Sequence, residues 1–266
     1  MYISHMKILF HSNCHGEGLA NFFAYSEDAS KFQTRVIRTY MLDLGLTTRE
    51  EELDALGWAD YILYHEHMGR KPGDESKPVK PGTILTPMSV MYNSGYYLSL
   101  GTEEDWKIVY DYADKNGIDQ AVDYAVYGAD VGHTRRWNHN FEKMKSKEIK
   151  ENVPESMWLS KAIEPLWKTE QQTLTMNHPT STVFFDWANL ILEHLEFAKI
   201  DMGFRDQCRA NLNIANLPCE DWICQGVKEV FGLSYGGGDY NNSNCANLAR
   251  NKLTSRHQQR DNPAPQ

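Results

Sequence analysis

No stretch of this chain approaches the 18 or so consecutive apolar residues that a membrane-spanning helix needs, so no membrane span is expected. No basic-then-apolar segment opens it, and its five cysteines are an odd number, a poor fit to a disulfide-stapled secreted domain. A reducing, cytoplasmic setting is the expectation. Cys208, Cys219, Cys224 and Cys245 lack the short paired spacing of structural zinc sites, so no metal is expected. Positive charge is scarce: 27 Lys and Arg stand against 36 Asp and Glu, for a net charge of −9. That balance argues against a generic nucleic-acid surface, although a local basic pocket for a phosphorylated cofactor is compatible with it. There is no G-x-S-x-G elbow and no Walker sequence, which removes the best support for a serine hydrolase or a P-loop enzyme. The glycine-rich run "SYGGGDYNNSN" (234–244) follows a helix-like segment and not a strand, so it lacks the context of a phosphate loop. No internal repeat is found.

What is present is a globular composition, 41% hydrophobic and 24% charged over 266 residues, enough for one large domain or a domain with a smaller lobe. "KILF" predicts a short buried strand, and Gly18, Leu19, Phe22 and Phe23 then recur at helical spacing. "TRVIRTYML" (34–42), "ADYILYHEHM" (59–68) and "TILTPMSVMYNSGYY" (83–97) predict three further strands, Pro87 bending the last or marking an edge. "TTREEELDALGWA" predicts a helix with a threonine cap. This alternation predicts an α/β fold: a Rossmann-like, mostly parallel sheet flanked by helices over residues 6–101. From Thr102 to Gln172 the pattern is helical, read as an insertion or lid, and "SMWLSKAIEPLWKTEQQ" is its last helix. Residues 173–254 complete the fold through an amphipathic helix from Thr180 to Phe197, and 255–266 are expected to form a disordered tail.

In such a sheet, ligands bind outside the carboxyl ends of the strands. Cys14 falls at that end of the first strand and at the amino end of the following helix, where unpaired N–H groups and the helix dipole would lower a thiol pKa. His65, Glu66 and His67 end the third strand; with strand order 2-1-3 they would neighbour Cys14. Strand alternation puts His65 and His67 on one side, as a base for the thiol or as core histidines. "NHPTST" (177–182) offers a second base. Pro179 suits a first helical turn and Thr180 to Thr182 supply hydroxyls, leaving His178 at the helix mouth as a base, an anion contact or a capping-loop residue. Arg70, Lys71, Lys77 and Lys80 follow the third strand in a loop that is either solvated or a phosphate contact, and Arg135 and Arg136 form a second basic pair.

The strand–"SNCHGEG"–helix opening, the "ADYILYHEH" strand and "NHPT" before an apolar helix together resemble the WcbI-type capsular polysaccharide biosynthesis proteins, over most of residues 6–198. The family pattern often has Gln after the cysteine, where this chain has His15. The resemblance implies an α/β protein that uses coenzyme A, with acetyl-CoA as donor, to acetylate a sugar hydroxyl of a bacterial capsule or surface polysaccharide precursor. Its expected ligands are thus an acyl donor and a carbohydrate acceptor. On this reading Cys14 takes the acyl group or lines the thioester site, and His15, His67 or His178 is the base. Ser12, Asn13, Gly16, Arg70, Lys71, Arg135 and Arg136 would contact the cofactor, and the N–H groups of His15 and Gly16 would hold the oxyanion. A thioesterase or carbohydrate esterase with the same Cys/His edge is the alternative, and a non-catalytic nucleotide- or glycan-binding module is a third.

Overall fold

A computed structural model of the chain describes residues 5–65, 71–98, 101–128, 130–163, 168–175, 177–214 and 242–261. His67 and Arg70, together with Cys219, Cys224 and the glycine-rich run up to residue 241, lie outside the described residues. Four parallel strands form the central sheet in the order β2-β1-β3-β4: β1 (Met6–Ser12), β2 (Phe32–Arg38), β3 (Tyr61–Tyr64) and β4 (Ile84–Pro87). Strand order therefore switches beside β1, and its carboxyl end, at Ser12 and Asn13, is the mouth of a crevice between neighbouring connections. Pro87 closes the edge strand β4, a position that needs no further ladder donor. The second strand is shorter than "TRVIRTYML" suggests. It stops at Arg38, and Thr39–Asp43 turns into the short helix α2.

Strand alternation sorts the sheet into two cores. Ile8 and Phe10 of β1 and Tyr61 and Leu63 of β3 face α1 (Cys14–Phe23) and α8 (Ser181–His194). Leu9, Ile62 and Tyr64 face the other way, onto Ala55 and Leu56 of α3 (Arg49–Trp58). The helix α3 starts on a capping box in which Thr48 and Glu51 satisfy each other's backbone donors. Two glycines let α1 sit close. A Cβ on Gly16 would lie 2.8 Å from Cβ of Phe10 in β1, and one on Gly18 would lie 2.3 Å from the Phe184 ring of α8. Both are closer than real contacts permit.

Between the sheet and α8 the chain forms α4 (Glu103–Asn116), α5 (Ile118–Tyr127) and α6 (His133–Lys150). α4 opens on a Thr102–Asp105 capping box. Of the helix expected at "SMWLSKAIEPLWKTEQQ", the described residues show a turn at Glu155–Met157 and the helix α7 (Leu159–Ile163), while 168–172 are not helical. Thr173–Thr175 instead forms β5, which pairs antiparallel with β6 (His178–Pro179). Pro179 accordingly lies in a strand and not in a first helical turn; the helix begins at Ser181. α9 (Phe204–Ala210) follows.

The last helix, α10 (Asn242–Asp261), overturns the expectation of disorder for residues 255–261. Sequence composition there is polar, but three side chains spaced by four residues on α10 meet three spaced by four on α4. Lys252 lies 4.3 Å over the Trp106 ring, Arg256 lies 3.9 Å over Tyr110, and Arg260 donates to Asp114 at 2.7 Å. Leu253 and Ala249 are buried beneath this ladder. Among the described residues no helix is long and apolar enough to cross a membrane.

Candidate active site

Cys14 is the first residue of α1. Asn13 is its N-cap and accepts a hydrogen bond from the His15 N–H at 3.0 Å. The cap pins the strand-to-helix joint and leaves the Cys14 side chain half-buried at the carboxyl edge of the sheet. From 164 residues further along, β6 delivers His178 to the same point. His178 Nε2 lies 3.0 Å from Cys14 Sγ. The adjoining residues are joined as well: His15 Nε2 donates to the Asn177 carbonyl at 2.5 Å. Two consecutive residues of α1 thus grip two consecutive residues at the entry to α8.

The loop that carries His178 is tied at its far side. Thr180 N–H and Oγ1 bond the carbonyls of Gln172 and Gln171, the Ser181 N–H reaches the Leu212 carbonyl, and Ser181 Oγ accepts from the Ile214 N–H. Thr180 is the N-cap residue of α8, but its hydroxyl makes no capping bond and anchors this loop.

Burial pushes the Cys14 thiol above its ordinary value, and the nearby Glu17 carboxylate adds to the rise. The N–H groups of Cys14 and His15 and the charge of Arg38 act in the opposite sense without cancelling it. The helix terminus therefore does not make a free thiolate here, contrary to the sequence-based expectation, because desolvation outweighs the dipole. The pair is a thiol held protonated beside an imidazole nitrogen, an arrangement that can pass a proton between sulfur and nitrogen.

Other residues expected at the site have different employment. Ser12 is fully buried, its hydroxyl donates to the Asn13 carbonyl, and it faces Gly16 in the packing of α1 on β1. The Gly16 N–H bonds the Asn13 carbonyl and the His15 N–H bonds the Asn13 side chain, so neither is free to hold an oxyanion. His15 is fully buried, its ring set edge-on to His65 at 5.6 Å and Trp187 at 5.9 Å. Burial lowers its pKa to about 4, so it is neutral near pH 7. His65, which ends the third strand on the α1 side, is a core histidine whose Nε2 donates to the Ser89 carbonyl at 2.7 Å. Arg136 is buried, bonding the Val131 carbonyl and pairing with Asp105, and Arg135 pairs with Glu104 and Asp105. Lys77 is buried against Glu52, and Lys80 pairs with Asp60 at the amino-terminal end of β3, away from the crevice. These basic groups hold the fold together. Lys71 is exposed, 5.8 Å from the Tyr64 ring at the carboxyl end of β3.

Sequence reading missed Arg38. It is the last residue of β2, in register with Ser12, and its guanidinium pairs with Glu17 of α1 while its charge acts on Cys14. The signal was available, since an arginine at the carboxyl end of the strand beside β1 must lie at the crevice, but the predicted strand ran four residues past it.

With this geometry described, comparison with known proteins adds one likeness. No protein-family model matches the chain, and no curated protein is similar to it. The fold is similar to that of WcbI. That solved structure is of a polysaccharide biosynthesis enzyme, as the native protein without a disulfide bond between coenzyme A and one of its cysteines. The TM-score is 0.56, with 96% of each chain covered and 12% of residues identical. At that identity the likeness to WcbI is one of fold.

Proposed function

We propose that this protein is an acyltransferase that moves an acetyl group from acetyl-CoA to a hydroxyl of a carbohydrate, with Cys14 and His178 as its working pair. The observation that carries this reading is the 3.0 Å contact between Cys14 Sγ and His178 Nε2 at the carboxyl edge of a parallel sheet. The fold likeness to an enzyme of polysaccharide biosynthesis that is described together with coenzyme A supports the choice of donor and acceptor class.

The residues at this edge suit such a donor. A half-buried thiol lies beside a helix amino terminus, and among the described residues Arg38 and Lys71 are cations at the carboxyl ends of the flanking strands, where phosphates would be held. Acetyl-CoA supplies an acyl group already activated as a thioester. The protein supplies the proton path. His178 Nε2 is placed to take a proton from the Cys14 thiol or from a sugar hydroxyl entering beside it, a service commonly worth 10²–10⁴-fold in rate. Keeping the thiol protonated until that transfer follows from its desolvation. Arg38 offsets negative charge as it develops on sulfur.

The test is release of free coenzyme A from acetyl-CoA, with and without oligosaccharide acceptors, by the native protein and by Cys14→Ala and His178→Ala. The reading expects release that depends on acceptor and is lost in both variants. Release at one rate whether or not a sugar is present would make the protein a thioesterase. Full activity in both variants would remove the pair from the chemistry.

A further inference from the structure

We propose that His15 is a positioning residue: its Nε2–H, donated to the Asn177 carbonyl, sets the separation between Cys14 and His178. This rests on the acyltransfer reading above only for its kinetic consequence; the geometric part stands alone. A carbonyl oxygen can only accept, so the 2.5 Å contact fixes the proton on Nε2. Nδ1 then carries a lone pair, and it is buried without any hydrogen-bond partner. That is an odd site for an imidazole whose purpose is only to fill space, because an unsatisfied buried acceptor is unfavourable. What the ring contributes is its one donated bond. Its orientation is over-determined, edge-on to both His65 and Trp187 and fully enclosed.

The consequence is mechanical. Cys14 and His15 are successive residues of a capped helix start, and Asn177 and His178 are successive residues where the chain enters β6. Two bonds between two dipeptides fix both translation and rotation, where the Cys14–His178 contact alone would leave a pivot. The anchors at Thr180 and Ser181 hold this loop on the side facing Gln171, Gln172 and Leu212, and the His15 bond adds a tie on the side facing the sulfur; removing it gives the imidazole of His178 more freedom relative to the sulfur. A loss of a few tenths of an ångström at such a pair is enough to slow proton transfer.

His15→Leu removes the donor at similar volume, and His15→Gln places an amide N–H donor at the depth of Nε2. The first readout is the pH profile of Cys14 carboxamidomethylation, followed by mass spectrometry, with thermal melting to establish that each variant is folded. In His15→Leu the profile shifts away from that of the native protein, and His15→Gln restores it. In the transfer assay His15→Leu lowers kcat by roughly 10-fold or more, with KM for acetyl-CoA within about two-fold, and His15→Gln recovers most of kcat. A folded His15→Leu protein with the native alkylation profile and native kcat overturns the proposal. If His15→Leu does not fold, ¹⁵N NMR of the native protein decides: a neutral Nε2–H tautomer for His15 at pH 6 is required, and an Nδ1–H tautomer overturns the proposal. The alkylation and NMR readouts do not depend on acyl transfer. A shifted profile in a native protein that transfers nothing would sink the function and leave the positioning role intact.

Discussion

At the scale of single residues, two cysteines of the same chain sit in opposite circumstances. Cys208 is fully buried and pushed up to about 12, while Cys14 is half-buried and touches an imidazole. Brief iodoacetamide treatment of the folded protein, mapped by mass spectrometry, should label Cys14 and spare Cys208. Because burial raises the Cys14 thiol, labelling should climb steadily as pH rises into and beyond the ordinary thiol range, where a pre-formed thiolate would give a rate already flat at neutral pH. His178→Ala should lower transfer by ~100-fold or more. Cys14 and His178 could each be read from sequence, since both stand at the joint between an extended segment and a helix. Their contact could not, because it spans 164 residues and depends on a two-residue strand with no periodicity of its own. Nor could the direction of the thiol's shift, which is set by how much water the folded chain removes.

At the scale of elements, the placement of α1 depends on Gly18. A methyl group there would overlap the ring of Phe184, which is itself held against Phe22 and Trp187. Gly18→Ala should destabilise the protein by about 1–3 kcal/mol, the usual range for an overfilled core, and Phe184→Leu in that background should recover part of the loss. Chemical denaturation of the two variants measures both effects. α10 offers a second case. Tyr110→Leu keeps the apolar bulk but removes the ring face under Arg256, and should lower stability by about 0.5–1 kcal/mol, while Leu253→Ala should lower it by about 2–5 kcal/mol. Helices with caps, such as α3 and α4, were legible because the cap is a local signal. The helix α10 was not, because its stability comes from aromatic rings and acids more than 100 residues away.

At the scale of the whole molecule, histidine burial sets the response to acid. His15 titrates at about 4 and His133 at about 3, in both cases chiefly because burial disfavours the charged ring, and His65 is lowered for the same reason. An unfolded histidine binds its proton near pH 6.5, so between that value and the folded one the unfolded chain holds more protons, and stability falls as pH falls. Each such histidine contributes up to about 1.4 kcal/mol per pH unit in its window. Glu52 adds a later loss. Burial alone would raise its carboxyl, but the bonds from His11, Lys77 and Arg49 hold it at about 2, so its stabilisation is complete above its ordinary value of 4.5 and drains away as pH falls toward 2. Melting temperature should therefore decline from below about pH 6.5, before most carboxylates titrate, and a flat profile down to pH 4.5 would contradict the burial of neutral histidines. The parallel sheet was legible from strand and helix alternation, with the order 2-1-3 one of the few arrangements that right-handed crossovers leave; the pairing of Lys77 with Glu52 and of Arg136 with Asp105 was not, because sequence does not show which cations are already paired. Coenzyme A is proposed to enter the crevice at Cys14 and His178. Calorimetric titration of coenzyme A into the native protein, and into the same protein alkylated at Cys14, tests it most directly. Saturable binding weakened at least ~10-fold by alkylation is the predicted result; no binding to the native protein, or equal affinity before and after alkylation, would contradict it.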